Sequence, residues 1–208
     1  MVLLAVYNIL LSKYTGCEDI IVGTPVAGRD HGDFENIIGV FINALPMRNF
    51  PGEERTFHEF LKEVKENTIQ AYENQGYPFD HLLETLNVKV DMGRNPVFDV
   101  ELVVLNMDRP QLETKGLRFI PYDYDSGVTQ VDIALYVTES EEEIDFNLFF
   151  CTALFKRSTM ERFISYFKEI ASTVVENREI FLKDIEVSYE LTGTKSDVYD
   201  NMAGDLEF

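Results

Sequence analysis

The first fourteen residues, Met1-Val2-Leu3-Leu4-Ala5-Val6-Tyr7-Asn8-Ile9-Leu10-Leu11-Ser12-Lys13-Tyr14, carry one charge, and their apolar side chains fall on nearly every side of a 3.6-residue wheel. A helix of that kind must be surrounded by protein on most of its surface. The rest of the chain therefore has to build layers around it. The segment is too short to span a bilayer and has neither a basic leader nor a small-residue cleavage site. It also lacks an N-cap, which predicts that the helix begins earlier and that this chain is the later part of something longer. Thr15-Gly16 supplies the stop.

Ile20-Ile21-Val22 reads as a short buried strand, and Gly23 to Asp33, rich in Gly and interrupted by Pro25, reads as a loop. Ile38 to Met47 predicts a second strand, closed by Asn49 and Pro51-Gly52. Thr56-Phe57-His58-Glu59 is a capping box, followed by Phe57, Phe60, Leu61, Val64, Thr68 and Ala71 at helical spacing up to Gly76. Pro78 can open a shorter helix through Leu86. Four strand-like runs follow, Phe98–Asn106, Leu117–Tyr124, Val131–Val137 and Ile144–Phe150, the last two as a hairpin with alternate residues turned inward. Ser158-Thr159-Met160-Glu161 is read as the cap of a long helix bearing Phe163, Ile164, Phe167, Ile170, Ala171, Val174 and Val175. After Val187 the composition becomes polar, so 188–208 reads as a linker or tail. The irregular mixture of helices and strands predicts an α/β sandwich with a mixed sheet.

Composition removes several functions. Eighteen Lys+Arg against 37 Asp+Glu leave a net charge of −19, which opposes binding to nucleic acid or to an anionic membrane surface. The two cysteines, Cys17 and Cys151, offer neither a disulfide framework nor a thiolate zinc site, and a reducing cytoplasm is expected. No metal site is expected. Glu139 to Glu143 lacks the alternating Asp/Asn ligands and central Gly of a calcium loop. Gly23-Thr24-Pro25-Val26-Ala27-Gly28-Arg29-Asp30 has the glycine spacing of a phosphate-binding loop, but Arg29 and Asp30 stand where Lys and Ser/Thr are needed. His31 lies beside Asp30 and Asp33 without a Ser or Cys nucleophile, and reads as a solvated loop histidine.

Three further stretches carry a resemblance. Ile38-Gly39-Val40-Phe41-Ile42-Asn43-Ala44-Leu45-Pro46-Met47-Arg48 resembles the IGxFVNTLxxR motif of nonribosomal peptide synthetase condensation domains. Asn74-Gln75-Gly76-Tyr77-Pro78-Phe79-Asp80 is similar to their (H/N)QDYPFE motif, and Asp91-Met92-Gly93-Arg94-Asn95-Pro96-Val97 to their D-x-S-R-N-P-L. The Gly23 to Arg29 loop resembles the GTPVAGR segment that precedes them. The departures are Ala44 for Thr, Gly76 for Asp, Asp80 for Glu and Gly93 for Ser. All four stand in the family's order, and the resemblance spans about residues 1–187.

The resemblance implies a chloramphenicol-acetyltransferase-like fold, two lobes with a tunnel between them, of which this chain is the C-terminal lobe. It implies amide bond formation between acyl or peptidyl and aminoacyl groups held on the phosphopantetheine arms of donor and acceptor carrier proteins, with no cofactor bound directly. The HHxxxDG motif of the first lobe is absent, since none of His31, His58 and His81 is followed by x-x-x-Asp-Gly. The N-terminal lobe is thus an implied partner, this chain alone is expected to be inactive, and no catalytic residue is assigned within it. An uncovered lobe interface predicts an apolar patch and self-association. A non-catalytic carrier-binding remnant and the matching lobe of an epimerisation or cyclisation domain are the alternatives.

Three residues are candidates for tunnel or lobe-interface support. By resemblance, Arg29 would reach across and pair with the Asp of the other lobe's HHxxxDG, a task suited to a planar guanidinium fork. Otherwise it is a surface arginine paired with Asp30 or Asp33. Asn43, an amide inside an apolar strand, would either line the tunnel or tie strand to loop. Asn95, made extended by Pro96, would approach the tunnel by resemblance, or cap backbone. Arg48 and Asp80 read as structural.

Overall fold

A computed structural model describes residues 1–29, 31–34, 37–89, 93–105, 116–117, 128–139 and 143–187. One mixed sheet organises the chain. Strands β1 (Ile20–Val26), β2 (Asn43–Asn49), β3 (Val100–Leu105), β4 (Ile133–Glu139) and β5 (Ile144–Phe150) lie in the order β2-β1-β3-β4-β5. The outer pairs β1/β2 and β4/β5 are antiparallel, whereas β3 runs parallel to β1 and to β4. Helices α1 (Val2–Thr15), α2 (Phe57–Glu73) and α4 (Arg157–Glu176) pack with one face of this sheet in a single apolar core. The short α3 (Phe79–Thr85) belongs to the other face, where a smaller cluster of Phe98, Val131 and Ala134 gathers Ile21, Ala44, Phe79, Val97 and Tyr136.

The all-round apolar character of α1 is explained by its surroundings: Leu4 through Leu11 are buried without a break. Tyr7 sits edge-on to Phe163 and Phe167 of α4, with ring centroids 6.1 and 6.3 Å away. Asn8, buried in the same run, donates to the Leu4 carbonyl at 2.7 Å. Gly16 ends the helix in the left-handed conformation, φ 65°, and its N–H caps the Ser12 carbonyl.

At α2 the capping box closes as expected: the Glu59 N–H donates to Thr56 Oγ1 at 3.3 Å and the Thr56 N–H to the Glu59 carboxylate at 2.9 Å. Those bonds hold the Glu59 carboxyl below its ordinary pKa. Phe57 and His58 donate their N–H groups to the Ile180 and Arg178 carbonyls, so the segment after α4 satisfies donors the helix leaves free.

Several expectations are corrected. Strand β1 continues through Gly23, Thr24, Pro25 and Val26, which read as loop. Pro25 stands opposite Ala44 of β2, and pairing with β3 is registered only at Gly23. The second strand starts at Asn43 and not at Ile38, because β1 ends opposite Asn43 and leaves 37–42 without a strand to pair with among the described residues. Helix α4 begins at Arg157 after Lys156, with no side-chain cap. Ser158 lies inside its first turn, where Arg157 pairs with Glu161 at 3.0 Å. Val175 and Ile144 are exposed, although their spacing suggested the core. The expected strand Leu117–Tyr124 falls, after Leu117, outside the described residues, as does the tail 188–208. Among the described residues no helix is long and apolar enough to cross a membrane.

Candidate functional site

The motif segments meet on the sheet face that α1, α2 and α4 leave open. At Gly23 of β1 an added Cβ would fall within the Phe98 ring. Only glycine lets that ring lie against the strand. Phe98 in turn meets Phe79 at the start of α3, ring centroids 5.7 Å apart. The Phe79 N–H donates to Asn43 Oδ1 at 3.1 Å, and Asn43 Nδ2 donates to the Gln75 and Tyr77 carbonyls, each at 2.8 Å. Four stretches far apart in sequence are thereby joined through Gly23, Asn43, Phe79 and Phe98.

Asn43 is therefore the tie between β2 and the turn that opens α3. Both amide donors and the acceptor are engaged, and the side chain is partly buried, so backbone binding occupies the groups a substrate would need.

Arg29 follows Gly28, whose φ of 63° and close approach to the Phe41 carbonyl exclude a side chain. Its guanidinium lies 4.4 Å from the Phe41 ring centroid, donates to the Gly39 carbonyl at 3.2 Å and also donates to the Phe34 carbonyl. Phe34 and Phe41 stack at 5.5 Å. Arg29 thus staples its own loop. Asp30 lies outside the described residues, and Asp33 stands beside His31 at 3.4 Å. Around the loop Ile38, Val40 and Ile42 are 102%, 90% and 70% exposed.

Asn95 is half-buried and lines a cleft of about 270 Å³ with Lys89, Arg94, Pro96, Val97 and Asp99. Arg94 reaches Asp99 at 3.5 Å. The Asp132 N–H donates to the Asp99 carbonyl at 2.9 Å, and burial first, then the neighbouring Asp99, pushes the Asp132 carboxyl pKa up. No hydrogen bond among the described residues joins Arg29, Asn43 and Asn95 directly. The chain of contacts from Asn43 through Phe79 and Phe98 leads only to the neighbourhood of Asn95.

Outside this constellation, Arg48 grips Asp19 through two bonds of 2.8 and 2.7 Å. His31, His58 and His81 are all exposed. No group of three or more His, Cys, Asp or Glu that could hold a metal ion occurs among the described residues. The arrangement supplies a packed support, with His81 exposed on α3 and its ring 6.3 Å from that of Tyr77. One residue escaped the sequence reading: Glu101, the single charge in the Val100–Leu105 strand, lies opposite Gly23 and Ala134 on the motif-bearing face. A lone acid inside an apolar run was the available signal.

Residues 1–192 match the Condensation domain family. The chain belongs to that family. It is 46% identical over 191 residues to Gramicidin S synthase 2 of Aneurinibacillus migulanus and 44% identical over 190 residues to Tyrocidine synthase 3 of Brevibacillus parabrevis. These alignments cover 91% of this chain in each case but only 4% and 3% of the synthetases. The chain thus spans a small part of the curated relatives it matches. Among solved structures, a four-domain nonribosomal peptide synthetase bound to AMP and glycine superposes with a TM-score of 0.81 at 21% identity, covering 91% of this chain and 16% of that one. The X-domain from teicoplanin biosynthesis gives 0.77 at 24% identity, over 89% and 43%. The condensation domain of Monacolin K polyketide synthase gives 0.73 at 22%, over 87% and 42%. These likenesses establish the α/β condensation-domain fold, chloramphenicol-acetyltransferase-like, for a chain slightly under half as long as the latter two.

Proposed function

We propose that this chain is the C-terminal lobe of a cytoplasmic condensation domain, residues 1–187 forming the lobe and 188–208 a linker, and that it supplies one wall of a tunnel in which two carrier-bound thioesters are joined. In the reaction the amine of an aminoacyl thioester attacks the carbonyl carbon of an acyl or peptidyl thioester. A C–N bond forms, the C–S bond to the donor phosphopantetheine breaks, and the proton leaves the amine for a base and reaches the departing thiolate. The base is assigned to the first lobe, because none of His31, His58 and His81 stands in an HHxxxDG context. Arg29, Asn43 and Asn95 are tunnel or interface support: Asn43 holds the wall, Arg29 shapes the 34–41 loop against the other lobe, and Asn95 lines the neighbouring cleft.

The observation that carries this reading is the meeting of Gly23, Phe79 and Phe98 on the sheet face not packed by α1, α2 and α4, with Asn43 at the start of β2 tying that strand to the turn that opens α3. The exposed Ile38, Val40 and Ile42 beside it suit burial by the first lobe, or self-association in its absence. The experiment is reconstitution. With charged donor and acceptor carrier proteins, the 208-residue chain should form no amide above background, and adding the first lobe should restore condensation. Turnover by this chain alone would overturn the assignment of the base, and a well-folded, docked pair without condensation would favour a carrier-binding role.

A further inference from the structure

The central strand β3 reads Val-Glu-Leu-Val-Val-Leu, and its second residue is an acid in an apolar setting. Glu101 stands in register with Gly23 of β1 and Ala134 of β4, so its side chain shares a face with both. Neither of those positions carries a side chain longer than a methyl group. The cluster on that face consists of Phe98, Val131 and Ala134 with Ile21, Ala44, Phe79, Val97 and Tyr136. The carboxylate thus lies among the residues that unite the motifs, and no ion pair or hydrogen bond to it occurs among the described residues.

Among the described residues no charged group neutralises it. Arg94 is paired with Asp99, while Asp99 and Asp132 are themselves acids. On α1, the Tyr7 hydroxyl is kept protonated by burial first and by the charge of Glu101 second, so that charge is felt within the core. Burial raises the Glu101 pKa. A half-buried carboxylate without a cation weakens a fold, and a Met or Leu there would pack better. Residues that break a packing rule without local compensation concentrate where function is carried.

We propose that Glu101 is a specificity-determining residue of the condensation tunnel, selecting an aminoacyl or peptidyl group whose side chain ends in an ammonium or guanidinium. The inference rests on the tunnel reading above. The selected cation is a side-chain group and not the attacking α-amine. An ion pair with Glu101 would stabilise the protonated amine, which has no lone pair for attack. A non-reacting cation gains the charge-assisted bonds without opposing the chemistry.

The test uses the complete condensation domain that contains this sequence, with lysyl and norleucyl thioesters, nearly equal in size and differing in charge, offered in turn as acceptor and as donor. Expected is a preference for lysyl of about tenfold or more in kcat/KM at one of the two positions, erased in Glu101→Gln. Binding of lysyl- and norleucyl-pantetheine amides to the same domain, followed by titration, reads the preference without turnover. It therefore decides the matter even if no condensation occurs, an outcome that would count against the tunnel reading alone. Equal affinity for the two probes in the parent domain, a preference that survives Glu101→Gln, or an equal loss on both substrates would overturn the proposal. Thermal melting of the 208-residue chain checks that Glu101→Gln remains folded.

Discussion

Asn43 makes its three hydrogen bonds to backbone that belongs to no regular ladder, the Gln75–Phe79 turn. Replacing it with Ala leaves two carbonyls and one N–H to find water at a partly buried junction, a loss of about 2–3 kcal/mol. Urea denaturation of the 208-residue chain measures it. Arg29→Ala should cost about 1 kcal/mol in the same assay, because two partly exposed bonds and a ring contact are lost together. Arg29→Lys should restore little, since one ammonium cannot span both carbonyls and lie flat on Phe41. Glu101 should act in the opposite sense. The folded chain holds the Glu101 proton more tightly than the unfolded chain does. As pH rises, the unfolded carboxyl ionises first, and stability is lost up to and through the raised folded value. Glu101→Gln has no such loss. Its stability advantage over the parent should therefore be larger at about pH 7 than at about pH 4, read from denaturation midpoints. An advantage that shrinks toward neutral pH would mean that the carboxylate is not disfavoured in the fold.

The joining of β1, α3 and the segment entering β3 depends on an aromatic ring lying where a side chain would otherwise be. Gly23→Ala places a methyl group within the Phe98 ring, an overpacking that should cost about 1–3 kcal/mol. The double variant Gly23→Ala/Phe98→Leu should cost less than the sum of its parts, since each change relieves or pre-empts the other's strain. Strict additivity in a thermodynamic cycle would place the destabilisation elsewhere. Helix ends show a related lesson. The Thr56–Glu59 box was legible because its partners are three residues apart, whereas the cap of α4, read at Ser158, lies two residues earlier at Lys156. The Arg157–Glu161 pair and the packing of Met160 and Phe163 hold that first turn without a capping side chain.

Across the whole chain, the sheet is packed by three helices on one face and by α3 and a small cluster on the other. Exposed branched side chains at Ile38, Val40 and Ile42 lead into β2. At tens of micromolar the isolated chain should elute above its monomer mass of 24.0 kDa, and light scattering should report the excess. The triple change Ile38→Ser, Val40→Ser, Ile42→Ser should return it to a monomer with its melting temperature unchanged, because these side chains bury little within the chain itself. A monodisperse parent monomer would show that this surface does not drive association.

Much of this molecule could be read from local pattern. Periodicity located the α1, α2 and α4 helices, alternation located the β4–β5 hairpin, and the spacing of four motifs pointed to the condensation family, because each depends on residues a few positions apart. The limits of β1 and β2 could not be read so. Whether Pro25 is strand or loop, or Ile38 strand or exposed segment, depends on which neighbouring strand lies within hydrogen-bond reach. The same holds for Asn43, whose partners lie 32 to 36 residues away, and for Arg29, whose bonds within this chain go to the Phe34 and Gly39 carbonyls. Glu101 is the sharpest case: an acid in a strand is unremarkable until the register sets Gly23 and Ala134 on either side of it, since burial, and the lack of a partner among the described residues, are properties of neighbours that only the folded chain brings together.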